Sequence, residues 1–242
     1  RLDGSPSGQP GGMHRFADRA DAGRRLAPFV AQALEGMPRD AVVVLALPRG
    51  GVAVAVEVAA ALGAPLDVLL VRKLGVPGHE ELAFGAIASG GVRVLNAEIV
   101  AAAALGPGTV AEVIAAERTE LARRERAYRG DRAPLDVAGR TVVVVDDGLA
   151  TGATMRAALA ALRHMGARRI VAAAPVGTQD ACAALAVRAD AVVCPLIPRR
   201  FSAVGAWYST FDPVDDDAVT TLLAVAAADA RCTPRNPTVR GA

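Results

Sequence analysis

The sequence predicts an α/β fold, a doubly wound and mostly parallel sheet with helices on both faces. Three observations predict it. Short apolar, β-branched runs alternate with longer stretches of helical spacing along the chain. One run, Val142-Val143-Val144-Val145, is apolar without alternation, as in a strand buried on both faces of a parallel sheet. Acidic, basic and glycine-rich segments then fall where such strands end, the edge at which open α/β sheets bind ligands.

Length and composition agree. The 242 residues suffice for one domain with a full core. Hydrophobic residues make up 52% and aromatic residues 3%, so that core must be built from Ala, Val and Leu. Residues 1–12 are rich in Gly, Ser and Pro and precede Met13; they read as a tag or disordered tail and are set aside. Residues 13–228 form the expected single domain, and 229–242 a tail.

The elements follow in order. Residues 18–37 carry Leu26, Phe29, Val30, Ala33 and Leu34 at helical spacing, with Pro38 as a stop. Residues 41–47 are a strand ending in Pro48-Arg49-Gly50-Gly51. Residues 52–62 are a buried helix closed by Gly63, and 66–71 a second strand ending in Arg72-Lys73. This is a β-α-β unit, whose strands should lie parallel and close. Gly75, Pro77, Gly78, Gly85, Gly90 and Gly91 punctuate the next segment, which predicts a long mobile loop, with 84–88 and 92–95 able to pair as a hairpin. Helices are expected at 96–105 and 109–129, the second presenting Arg123, Arg124, Arg126 and Arg129 as a solvated face. Further strands lie at 142–145, 170–174 and 191–194, with helices at 155–165 and 179–187. Residues 199–217 are irregular and hold Phe201, Trp207, Tyr208 and Phe211; 217–228 is the last helix.

Several function classes are disfavoured. Lys and Arg number 27 against 25 Asp and Glu, a net charge of +2 that calls for neither nucleic acid nor an anionic membrane. Cys182, Cys194 and Cys232 form no ligand spacing and no disulfide framework, which favours a reducing, cytoplasmic compartment. His14, His79 and His164 are scattered. No Gly-x-Gly-x-x-Gly follows a strand, and no Gly-rich loop ends in Gly-Lys-Ser/Thr.

The chemistry concentrates in Asp146-Asp147-Gly148-Leu149-Ala150-Thr151-Gly152-Ala153-Thr154, after the four valines. Two carboxylates at a strand end can accept hydrogen bonds from vicinal hydroxyls or reach a divalent cation through water. The small-residue loop and the helix start behind it offer amides and a positive dipole end to an anion. A sugar phosphate meets both requirements. A glycine turn such as Pro48-Arg49-Gly50-Gly51 can also form an anion nest.

The run from Asp146 to Thr154 resembles the ribose-phosphate signature of the type I phosphoribosyltransferases. Phe16-Ala17-Asp18-Arg19, Pro48-Arg49-Gly50-Gly51, Arg72-Lys73-Leu74-Gly75 and Val204-Gly205-Ala206-Trp207-Tyr208 extend the likeness to a bacterial group of stand-alone proteins of that family. The resemblance implies a Mg²⁺-dependent glycosyltransferase acting on 5-phosphoribosyl pyrophosphate and a nitrogenous acceptor. Ribose and 5-phosphate would fall to residues 146–154, and pyrophosphate to Arg49, Gly50, Gly51, Arg72 and Lys73. Asp146, Asp147, Lys73 and Arg49 would carry catalysis. Mg²⁺ would be held through substrate and water, with help from Asp146 and Asp147. Lys73 would open the family's mobile loop, on which Glu80 and Glu81 read best as solvated carboxylates. Relatives acting on 6-oxopurines place an aspartate where Ala150 stands, which argues against that acceptor class. The variable hood would come from 201–211, where Trp207 or Tyr208 could stack on a base, although a stabilising aromatic cluster accounts for them as well. A homodimer is compatible with all this. Two other readings share the residues: a non-catalytic sensor of phosphoribosyl pyrophosphate or a nucleotide, and a receiver-like phosphoacceptor domain.

Overall fold

A computed structural model describes residues 15–38, 41–130 and 132–232. The segment set aside at 1–12, and residues 233–242 of the expected tail, lie outside the described residues.

Helix α1 (Arg19–Ala33) starts at Asp18, whose carboxylate accepts the Asp21 amide at 2.7 Å while Asp21 accepts that of Ala17 at 3.1 Å. This reciprocal cap fixes the first helical turn, and with it the direction in which Arg19 projects. Strand β1 (Val42–Ala46) is buried throughout and leads through residues 47–50 into the apolar helix α2 (Gly51–Leu62). Strand β2 (Leu66–Val68) then pairs parallel with β1.

Here the sequence expectation needs correction. The second strand does not run on to Val71. The chain leaves the parallel sheet at Leu69-Leu70, where Leu70 and Ser89 exchange hydrogen bonds. It then enters a separate antiparallel sheet of β3 (Val71–Val76), β4 (His79–Ala88) and β5 (Val92–Leu95). The expected loop over 74–91 is therefore mostly strand. Its glycines serve a ribbon: Gly75 lies at a break in register and Gly78, at φ +80, turns the hairpin. The pairing of 84–88 with 92–95 is as expected.

Helices α3 (Ala97–Ala102) and α4 (Pro107–Arg129) return the chain to β6 (Thr141–Val145), the valine strand. After it come α5 (Ala153–His164), β7 (Arg169–Ala173), α6 (Gln179–Ala186), β8 (Ala191–Val193) and α7 (Asp216–Cys232). The five parallel strands lie in the order β2-β1-β6-β7-β8. The order reverses between β1 and β6, the switch point of a doubly wound sheet. β6 divides its valines evenly: Val143 and Val145 join the core beneath α1 and α2, Val142 and Val144 the core beneath α5 and α6. Burying each contributes about 1.5–3 kcal/mol relative to exposure, which is why the run cannot alternate with polar residues.

A second correction concerns the arginine face of α4. Arg123 and Arg124 do pair with Glu120 on the surface, at 2.8 and 2.7 Å. Arg129 instead is buried: it forks onto Asp67 at 3.0 and 3.1 Å and donates to the Val68 carbonyl. The last turn of α4 tucks against edge strand β2, and Asp67 requires a cation there.

Candidate functional site

The site forms where β1 and β6 end side by side. The amide of Leu47 donates to the Val145 carbonyl at 2.8 Å, holding the two ends in register. Past Leu47 the Pro48–Arg49 peptide is cis. Gly50 and Gly51 then run directly over the acidic pair. A Cβ on Gly50 would fall within the Asp147 carboxylate. One on Gly51 would stand 2.6 Å from the Val145 carbonyl and 2.9 Å from the Asp146 Cα. Glycine is required here for room, and the contact unites two motifs far apart in the chain.

The two carboxylates have different surroundings. Asp146 Oδ1 accepts the amide of Asp147 at 2.9 Å. Burial, then repulsion from Asp147, pushes Asp146 well above the usual carboxylate range. Asp147 Oδ2 receives Arg19 Nε at 2.8 Å, and its carbonyl receives the Tyr208 hydroxyl at 2.6 Å. Burial and the nearby Asp147 charge raise the Tyr208 phenol, so it stays a neutral donor.

Behind the pair, the loop of residues 148–152 is braced from below. Leu149 and the 176–178 segment exchange backbone bonds at 2.9 Å, and Thr178 Oγ1 donates to the Ala150 carbonyl at 2.8 Å. Gly152 adopts φ +66 and starts α5. Among the described residues, the amides of Ala150, Thr151 and Gly152 donate to no protein acceptor. Ala150 and Thr151 are exposed, with the Thr154 hydroxyl alongside at the first turn of α5. Free amides, hydroxyls and a helix N-terminus together make an anion cradle. Arg156 curls back over it and donates to the Thr151 carbonyl at 2.6 Å.

Arg72 and Lys73 reach the site from the ribbon rather than from the end of a central strand. They share a cavity of about 470 Å³ with Glu80, Glu117 and Thr154. Arg72 pairs with Glu117 at 2.5 Å, whereas Lys73 is exposed and makes no ion pair among the described residues. Arg49 is half-exposed and faces Asp216, the first residue of α7, at 3.9 Å. Asp216 also accepts the Tyr128 hydroxyl at 2.5 Å.

The hood packs on the opposite side. Val204 covers Gly148, and Tyr208 sits between the rings of Phe16 and Phe211, at centroid distances of 5.3 and 4.9 Å. With 3% of its surface exposed, Tyr208 has no ring face to offer a base, so its expected stacking role gives way to that of a strut. Trp207 is half-buried, and its indole N–H has no acceptor among the described residues. The structure thus brings together Gly50, Gly51, Asp146 and Asp147, and places Thr154 beside Arg72 and Lys73. Sequence reasoning gave Arg19 only a place in the Phe16-Ala17-Asp18-Arg19 likeness and passed over Arg156, Thr178 and Asp216. Arg156, one turn after the loop on the same helix, could have been found from spacing. The other three act through partners distant in sequence.

Among the described residues no three His, Cys, Asp or Glu side chains gather as a metal cage, and no helix is long and apolar enough to cross a membrane. Comparison with known proteins matches residues 16–209 to the phosphoribosyl transferase domain. Two Mycobacterium tuberculosis proteins, "Putative phosphoribosyl transferase Rv0571c" of strain H37Rv and "Putative phosphoribosyl transferase MT0597" of strain CDC 1551, are each 50% identical over 211 residues. That alignment takes in 87% of this chain and 47% of theirs, so the chain spans about half the length of the curated relatives it matches. The crystal structure of TT1426 from Thermus thermophilus is 44% identical and superposes with a TM-score of 0.78, covering 86% of this chain and 97% of that one. The chain belongs to the phosphoribosyl transferase domain family, with the parallel sheet and switch-point site that its own topology displays.

Proposed function

We propose that this chain transfers the 5-phosphoribosyl group of phosphoribosyl pyrophosphate to a nitrogenous acceptor other than a 6-oxopurine, releasing pyrophosphate. The observation that carries the reading is the close approach of Gly50 and Gly51 to Asp146 and Asp147, with an anion cradle of free amides following on the same strand end. A ligand seated there meets an anion site on each side of a pair of hydroxyl acceptors.

In this reading the amides of residues 150–152 and the hydroxyls of Thr151 and Thr154 take the 5-phosphate. Asp146 and Asp147 take the ribose hydroxyls, with Gly148, Leu149 and Ala153 shaping the floor. Arg49, the backbone of Gly50 and Gly51, Arg72 and Lys73 take the pyrophosphate. Lys73, exposed and making no ion pair among the described residues, is free to move toward departing negative charge. Departure leaves C1′ with positive character, which the two carboxylates stabilise, and the acceptor nitrogen forms the new bond. No covalent enzyme nucleophile is needed; positioning and preorganised charge account for the rate. The oxygen donors of Asp146 and Asp147 fit Mg²⁺ held chiefly by substrate and water, and the ion would supply charge neutralisation for the leaving pyrophosphate. Ala150 puts no carboxylate on the acceptor, and Trp207 is the hood residue left to meet it.

The test is pyrophosphate release from phosphoribosyl pyrophosphate and Mg²⁺ across a panel of nitrogenous bases. At least one base should support turnover, and Asp146→Asn with Asp147→Asn should abolish it. Tight donor binding with no pyrophosphate from any base would replace this reading with that of a sensor.

A further inference from the structure

We propose that Arg19 is a positioning residue for the acidic pair, fixing the Asp147 carboxylate from the first turn of α1 and tying the hood to the floor of the site. The proposal rests on reading that floor as a phosphoribosyl pyrophosphate site.

Three contacts engage the guanidinium, through Nε, Nη1 and its flat face. Nε meets Asp147 Oδ2 at 2.8 Å, Nη1 donates to the Asp212 carbonyl at 2.9 Å, and the flat face lies 3.8 Å from the centre of the Phe211 ring. The side chains of Arg19 and Asp147 are 12% and 16% exposed, so water screens the pair far less than a surface salt bridge. A lysine could supply the charge but neither the second directed donor nor the stacked plane.

The geometry explains why such a device is placed here. Asp146 and Asp147 are adjacent carboxylates at one strand end and repel each other. Asp147 Oδ2 also lies against Gly50, so the position of the carboxylate sets the room beside the pyrophosphate-side loop. Arg19 removes that freedom. It holds Oδ2 and leaves Oδ1 as the oxygen offered to a ribose hydroxyl. Arg19 acts through Asp147, and the cap at Asp18 is what aims it. Because the same guanidinium stacks on Phe211, whose ring neighbours Tyr208, one side chain ties the packing of the hood to the orientation of the carboxylate.

Calorimetric titration of phosphoribosyl pyrophosphate with Mg²⁺ into wild type, Arg19→Met, Arg19→Lys, Asp147→Asn and the double variant Arg19→Met/Asp147→Asn tests this, with melting curves for each. Arg19→Met should weaken donor binding about ten- to a hundredfold, the range of a lost charge-assisted hydrogen bond. Arg19→Lys should recover part of that loss, and the double variant should bind no worse than the weaker single variant. Additive losses in the double variant, or wild-type affinity in Arg19→Met, would overturn the proposal. Should Arg19→Met not fold, Arg19→Lys decides alone: wild-type affinity there refutes the role of the directed fork. If wild type itself binds no donor, the reading of the floor fails and the role of Arg19 goes with it, an outcome distinct from a bound donor indifferent to Arg19.

Discussion

Gly50 and Gly51 on the floor of the site and the glycines at the turns of the ribbon beside it are there for opposite reasons. On the floor, Gly50 and Gly51 have ordinary negative φ but no space, because the acidic pair presses against the α-carbons. At the ribbon's turns, Gly78 and Gly91 have positive φ and nothing within 4 Å of where a side chain would begin, whereas Gly75 and Gly85 within its strands are closed in by the Glu80 and Val94 backbone. The floor is crowded, preorganised and unforgiving. The ribbon is open on its solvent side, with residues 79–82 exposed along β4. The transfer proposed above would call on both: a rigid set of dipoles where charge develops, and a covering element that can let substrate in and product out.

Breaking the comparison at its strongest point should give the largest effect. Gly51→Ala is expected to cost about 3 kcal/mol of stability through overpacking against the Val145 carbonyl and the Asp146 backbone, and to abolish donor binding. Melting and titration of the purified variant would check this; an alanine accepted without loss would mean the floor is not preorganised. Next comes Asp146→Asn, which should separate stability from function. The Asp146 carboxyl is held above its ordinary range, so the folded state binds that proton more tightly than the unfolded chain does. Its favourable contribution is therefore present at low pH and is lost as pH rises through the folded value. Asparagine removes the penalty, so the variant should be more stable than wild type at neutral pH, with the gap closing on acidification in melting curves. Donor affinity should fall all the same. The smallest effect belongs to Gly78→Ala, expected to cost about 1 kcal/mol from the left-handed turn alone, with donor affinity retained. Loss of donor binding there would mean that ribbon and floor form one rigid unit.

Much of this was legible in the chain, and the misses have a common cause. The valine strand, the switch-point sheet and the acidic loop follow from patterns contained within short stretches of sequence. The ribbon did not, because strand pairing between 71–76 and 79–88 is decided by a partner rather than by local spacing, and glycines at a bulge and a turn look like a loop. Arg129 shares the helical spacing of its surface neighbours, yet the depth at which α4 ends turns it inward to Asp67. Tyr208 read equally well as a base platform or a packed ring; only the arrival of Phe16 from the start of the domain decided for packing.

By itself the sequence determined the class of fold and which strand ends carry reactive side chains, because periodicity, helix caps and the small-residue loop are local properties of the backbone. The tertiary structure alone decided which of those side chains meet. Gly50 lies against Asp147 because β1 and β6 are neighbours, and Arg19 reaches the same carboxylate across 128 residues because α1 packs on that face. Contacts of that kind depend on how elements dock, and no local pattern encodes them.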